Sequence, residues 1–132
     1  MKRQLLAVLA VFVAWSAMDF VIHGIILASA YAATPQLWRP MEEMKMGIMY
    51  ATVMIAAVVF VGIYAWFITD KSVKTAVLYG LVFGIGTGMS MGYGSYSVMP
   101  LPYTLAFGWF LGSVAEAVVA GWITGMIVKK EA

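Results

Sequence analysis

Asp19, His23 and Glu116 are the ionisable side chains that fall inside long apolar stretches of this chain. Charged groups in hydrocarbon cost a few kcal/mol or more, so such residues face the interior of a helix bundle and find partners there. Asp19 and His23 are four residues apart and share one face of a helix. A carboxylate beside an imidazole is a place where a proton can reside near neutral pH. Glu116 shares its helix face with Gly108, Gly112 and Ala120, so it is expected to point into a helix contact and away from lipid. The hydroxyls of Ser16, Thr52, Ser90 and Ser113 lie in the same stretches, and Ser90 joins Asp19, His23 and Glu116 as the candidate intramembrane polar site. Two readings of that set stand side by side. Either these groups tie helices together by hydrogen bonds, or they form a site for a proton or cation.

The 11 methionines raise a second chemistry. Thioethers together with an imidazole suit Cu(I), and His23, Met89, Met91, Met44 and Met46 are the candidate ligands. Against this, residues two apart on a helix point to different faces, and methionine is a common filler of apolar gaps. The expectation is therefore packing, with no cofactor.

The rest of the composition closes off other classes. The chain has 132 residues, of which 64% are hydrophobic and 11% charged, whereas soluble domains run near 45–50% apolar and about 25% charged. A net charge of +2 is too small to draw the protein to nucleic acid. With no cysteine and one histidine, thiol chemistry, iron–sulfur clusters and two-histidine metal sites are absent. No Ser/His/Asp set and no phosphate loop marks an enzyme.

A helix needs about 20 mostly apolar residues to cross a bilayer. Four stretches qualify, from about Leu5 to Ala30, Gly47 to Ile68, Val73 to Tyr93 and Leu105 to Val128. They are too long and too unbroken to be barrel strands. The expected architecture is all-α: a single domain over residues 1–132, with four transmembrane helices in a compact bundle. The first stretch is longer than a signal-peptide core and contains Asp19 and His23, so it is read as a retained helix. Lys2, Arg3, Lys71, Lys74, Lys129 and Lys130 belong to the termini and the second loop, against Arg39 and Lys45 in the first loop. That asymmetry predicts both termini in the cytoplasm and a location in a bacterial-type inner membrane. Pro40, followed by Glu42 and Glu43, predicts that the second helix starts at Pro40. Asp70 or Ser72 is expected to cap the third. At 1.5 Å rise per residue, Asp19 and Glu116 differ in depth by several ångströms, a gap that tilt or a water would bridge.

Gly80, Gly84, Gly88 and Gly92 recur every four residues, with Gly86 and Gly94 nearby, and Gly108, Gly112 and Ala120 answer them at the same spacing in the last stretch, together with Gly121 and Gly125. Small-residue stripes let helices approach closely in lipid. The stripes predict a tight contact between the third and fourth helices, or between copies of the protein.

The layout resembles small four-span bacterial membrane proteins of unknown function. The residues that carry the resemblance are the acid of the first span (Phe12-Val13-Ala14-Trp15-Ser16-Ala17-Met18-Asp19), the glycine- and tyrosine-rich third span (Tyr79-Gly80 through Tyr96), and the acid of the fourth (Glu116). Those proteins usually show aspartate in the last span where this chain has glutamate. The resemblance covers most of the chain as a pattern, implies an inner-membrane protein and implies no activity.

Two functions follow. The leading one is a non-catalytic membrane protein, either an accessory subunit of a larger complex or a self-associating one, with the lipid bilayer and other membrane subunits as its partners. The other is a small transporter or channel for a proton, a metal cation or a small solute, using Asp19, His23 and Glu116.

Overall fold

The computed structural model describes residues 1–130. All regular structure among them is helical. The first span, Lys2–Ile26, consists of helix α1 (Lys2–Val21) continued by a π-helical turn (Ile22–Ile26). A short helix α2 (Ala28–Ala32) and two 3₁₀ turns, Pro35–Leu37 and Met41–Glu43, lead to the second span, α3 (Met46–Phe67). The third span, Val73–Val98, is α4 (Val73–Gly88), a second π-helical segment (Met89–Gly94) and α5 (Ser95–Val98). The fourth is α6 (Tyr103–Ile127). All four spans are long and apolar enough to cross a membrane.

The distribution of side chains suits a hydrocarbon solvent. Leu5, Leu9, Val13, Phe20, Ile55 and Val82 point outward, while small residues such as Ala7, Ala57, Ala76, Ala117 and Ala120 fill the interior. Between helices in lipid there is little hydrophobic drive, so close packing of small residues takes its place.

That packing is tightest between α4 and α6. A methyl group on Gly80 would run into the Ala117 carbonyl oxygen, and one on Gly121 into that of Ala76. One on Gly84 would lie 2.8 Å from Val114 Cα, and one on Gly88 2.9 Å from the Phe110 carbonyl oxygen. Gly92 meets the Ala106 carbonyl oxygen in the same way. The stripe Gly80–Gly84–Gly88–Gly92 is therefore used up inside the chain. Gly108 and Gly112 do not answer it as expected. They face Leu27 and Ile22 of the first span, and residues Ala106, Phe110, Ser113, Ala117 and Gly121 line the other side of α6. Helix phase is the reason: a stripe at i, i+4 starting from 108 runs on a different face from one starting at 117. Gly86 faces open space, and Gly94 has nothing closer than the Met89 carbonyl oxygen at 3.8 Å.

α1 packs on both α3 and α6. Trp15 Nε1 donates to the Glu116 carbonyl oxygen at 2.8 Å, and its ring sits edge-on to Phe60 at 5.6 Å. Aromatic rings close the bundle between α3 and α4. Phe60 packs against Tyr79 and Phe83 with ring centres 4.6 and 5.1 Å apart, and the Tyr79 hydroxyl donates to the Phe60 carbonyl oxygen at 2.8 Å.

Three expected boundaries move. Pro40, Glu42 and Glu43 open a 3₁₀ turn, and the extended backbone at Met44 separates it from α3, which starts at Met46. The first helix ends at Ile26, where Leu27 leaves helical geometry, and Ala28–Ala30 belong to the next helix. The third span runs to Val98 and not to Tyr93, because the π segment lets the helix continue through its glycines. Ser72 caps α4, its Oγ accepting from Thr75 N at 3.1 Å. Ser72 and Thr75 hydroxyls both donate to Asp70 and hold its carboxyl below the usual range. At the end of α3, Lys71 Nζ donates to the carbonyl oxygens of Tyr64 and Ile68, satisfying acceptors that a helix end leaves open.

Candidate functional site

Both π-helical segments lie beside the same cavity. A π turn adds one residue to a helical turn and re-aims the side chains around it, and such turns are frequent at functional sites. Both contain glycine, Gly24 in the first and Gly92 and Gly94 in the second. Glycine weakens the α-helix by about 1 kcal/mol relative to alanine, which makes these the places where the ladder yields. In the first span the Leu27 amide reaches back five residues to the Ile22 carbonyl oxygen at 2.8 Å.

The cavity measures about 190 Å³. Its chemistry comes from Asp19 and His23 on the first span, Tyr31 on α2, and Trp109, Ser113 and Glu116 on α6. Met91 of the third span forms part of the wall. The space is ample for several waters or one small solute, since a single water needs roughly 10–15 Å³.

A chain of polar contacts runs through it. Trp109 Nε1 donates to the Tyr31 hydroxyl oxygen at 2.6 Å. That hydroxyl lies 2.6 Å from His23 Nδ1, and His23 Nε2 lies 3.7 Å from Asp19 Oδ1. An indole N–H can only donate, so the Tyr31 oxygen accepts from Trp109 and keeps its own proton for Nδ1. With Nδ1 accepting, a neutral imidazole carries its proton on Nε2, towards Asp19. A second proton on His23 reverses the Tyr31–His23 bond, because Nδ1–H then donates to the Tyr31 oxygen. Burial pushes the Tyr31 phenol up, against the pull of the Trp109 bond, so the hydroxyl stays protonated and available as a donor.

Beyond Asp19, the Glu116 carboxyl lines the same cavity. Its Oε1 atom is buried and has no hydrogen-bond partner. The side chains of His23 and Asp19 are 44% and 32% exposed. The site thus grades from an accessible imidazole to a buried carboxyl oxygen.

Trp38 packs against the two aromatic residues of the cavity wall. Its ring stands edge-on to Tyr31 at 5.1 Å and to Trp109 at 6.0 Å, and its Nε1 donates to Thr34 Oγ1 at 3.0 Å. Leu27, Leu101 and Leu105 pack beneath these rings. Leu101, between Pro100 and Pro102, is the residue by which the apolar third loop tucks into the bundle.

The structure brings Asp19, His23 and Glu116 together, closing the depth gap expected from helix rise. Glu116 reaches this site because it shares a face with Gly108 and Gly112, which turns towards the first span and away from α4. Ser90 does not join them: it is exposed on the π segment, and Ser113 supplies the hydroxyl on the cavity wall. Of the candidate copper ligands, His23 and Met91 line the cavity, while Met44, Met46 and Met89 are exposed and lie off it. Among the described residues, no three of the histidine and carboxylate side chains converge as metal ligands would. Tyr31 and Trp109 were not singled out in the sequence. The one signal for them is aromatic: both sit where a Tyr or Trp at a membrane boundary reads as an interfacial anchor.

Comparison with protein-family models, with curated proteins and with solved structures finds no match to this chain.

Proposed function

We propose that this is a small four-span membrane protein that binds and passes a proton at the Asp19–His23–Glu116 cavity, with a small ammonium-type cation competing for the same place. The carrying observation is that Asp19 and Glu116 line one small cavity within the spans. Two carboxylates lining one cavity repel each other when both are ionised, so a proton held there relieves the repulsion. A cation entering the cavity takes that proton's place, which makes the two mutually exclusive occupants. The aromatic faces of Tyr31 and Trp109 add cation–π attraction for an ammonium group.

This reading assigns the site binding and passage, with no covalent chemistry. It is favoured over the accessory-subunit reading because the glycine stripes, which supported self-association, are occupied inside the chain, between α4 and α6 and between α6 and the first span. We place the termini in the cytoplasm and the protein in a bacterial-type inner membrane. The support is the gathering of Lys2, Arg3, Lys71, Lys74, Lys129 and Lys130 in the termini and the second loop.

The test is proton flux into proteoliposomes holding a trapped pH-sensitive dye. An imposed pH gradient is expected to decay faster with the protein than in protein-free vesicles. External tetramethylammonium, which has no neutral form to leak across lipid, is expected to slow that decay. Rates equal to those of protein-free vesicles would contradict the proposal.

A further inference from the structure

At the far end of the bundle three chain segments meet: the start of α1, the end of α3 with the turn after it, and the end of α6. They enclose a groove of about 920 Å³ carrying Lys2, Arg3, Lys71, Lys129 and Lys130, with Trp66 on its wall. No acidic side chain of the described residues lines it. Asp70 lies near enough to act on Lys130, but its carboxyl is already taken up by Ser72 and Thr75.

From this geometry we infer that the groove is a binding site for an anionic phospholipid, of the diphosphatidylglycerol class. Basic pockets between helices at the cytoplasmic surface bind such headgroups. Several observations point to lipid and away from a soluble anion. The groove is far larger than one phosphate. Its remaining wall includes the apolar residues Ala65, Ile68 and Val128, along which acyl chains can run into the bilayer. Trp66 is 69% exposed beside it, as an indole at the headgroup level would be. Five cations around one groove match two phosphodiesters better than one. Lys71 is held to backbone carbonyls, so it gives a fixed charge, while among the described residues the side chains of the other four make no hydrogen bond and no close ion pair.

The site is independent of the intramembrane cavity, at the opposite end of the first span. Its test is thermal unfolding of the purified full chain in detergent micelles doped with tetraoleoyl cardiolipin, dioleoyl phosphatidylglycerol or dioleoyl phosphatidylcholine, with inorganic phosphate as a separate arm. A ligand that binds only the folded state raises the melting temperature with its concentration. Cardiolipin is expected to raise it most, phosphatidylglycerol less, and phosphatidylcholine and inorganic phosphate not at all. In the Lys129→Gln/Lys130→Gln double variant the cardiolipin shift should fall by half or more. The Arg39→Gln/Lys45→Gln variant, at the other end, should keep it. If the first variant does not fold, native mass spectrometry of the unmodified protein decides: retained cardiolipin that salt strips off supports the site. Equal shifts from phosphatidylcholine, equal shifts from inorganic phosphate, or an undiminished cardiolipin shift in the Lys129/Lys130 variant would overturn the inference.

Discussion

Glu116→Gln and Asp19→Asn are each expected to abolish the protein-dependent proton flux while leaving a folded protein. Both replacements keep the size of the side chain and its hydrogen-bonding capacity, but remove a proton-binding oxygen from the pair. Truncating one member of a desolvated charge interaction costs about 2–5 kcal/mol, a loss of roughly thirty-fold or more in affinity. The flux and the tetramethylammonium effect should therefore disappear together. The fold should survive because the tie between α1 and α6 at this level uses the Glu116 backbone: Trp15 Nε1 donates to its carbonyl oxygen, which the substitution does not touch. Flux at the native rate in both variants would show that the carboxyl pair is structural.

The second large effect concerns packing and has opposite signs at two glycines six residues apart. Gly80→Ala places a methyl against the Ala117 carbonyl oxygen, so α4 and α6 must separate. Overpacking of this kind costs about 1–3 kcal/mol. Because rigid backbone and not a flexible side chain meets the methyl, the upper end of that range is expected. Gly86→Ala meets nothing within 4 Å. There alanine brings its better helix propensity, about 1 kcal/mol, and the melting temperature is expected to stay level or rise. Thermal unfolding of the two variants in one detergent checks both signs. A tolerated Gly80→Ala would mean that the two helices do not approach as closely as described.

How much of this was legible in the sequence varies by level. The spans were, because a run such as Leu105–Val128 has one economical solution in a solvent that offers the backbone no hydrogen bonds. The closeness of Asp19 and His23 was also legible, since a helix puts residues four apart on one face. The meeting of Glu116 with Asp19 was not. It depends on the rotation of α6, and the glycine pattern pointed that face at the wrong neighbour: Gly108 and Gly112 look equivalent to Gly121 and Gly125 as letters, yet they face Leu27 and Ile22 while the latter face α4. The π segments were invisible as well, because glycine lowers the cost of leaving an α-helix without dictating what replaces it. Tyr31 meets Trp109 of α6 because the chain after the first span folds back over the bundle, a long-range event with no local signature. Ser90 failed for the complementary reason. It has the right depth, but the π segment that turns Met91 to the cavity leaves Ser90 outside it.

The claim on which all of this depends is that Asp19 and Glu116 share a proton inside the bundle. Infrared difference spectroscopy of the purified protein, stepped in pH and then in tetramethylammonium at fixed pH, reads it directly. The account predicts a protonated-carboxyl C=O stretch in the native protein that tetramethylammonium bleaches and that is missing in both Glu116→Gln and Asp19→Asn. A native spectrum without that band, or the same band persisting in both variants, would contradict it.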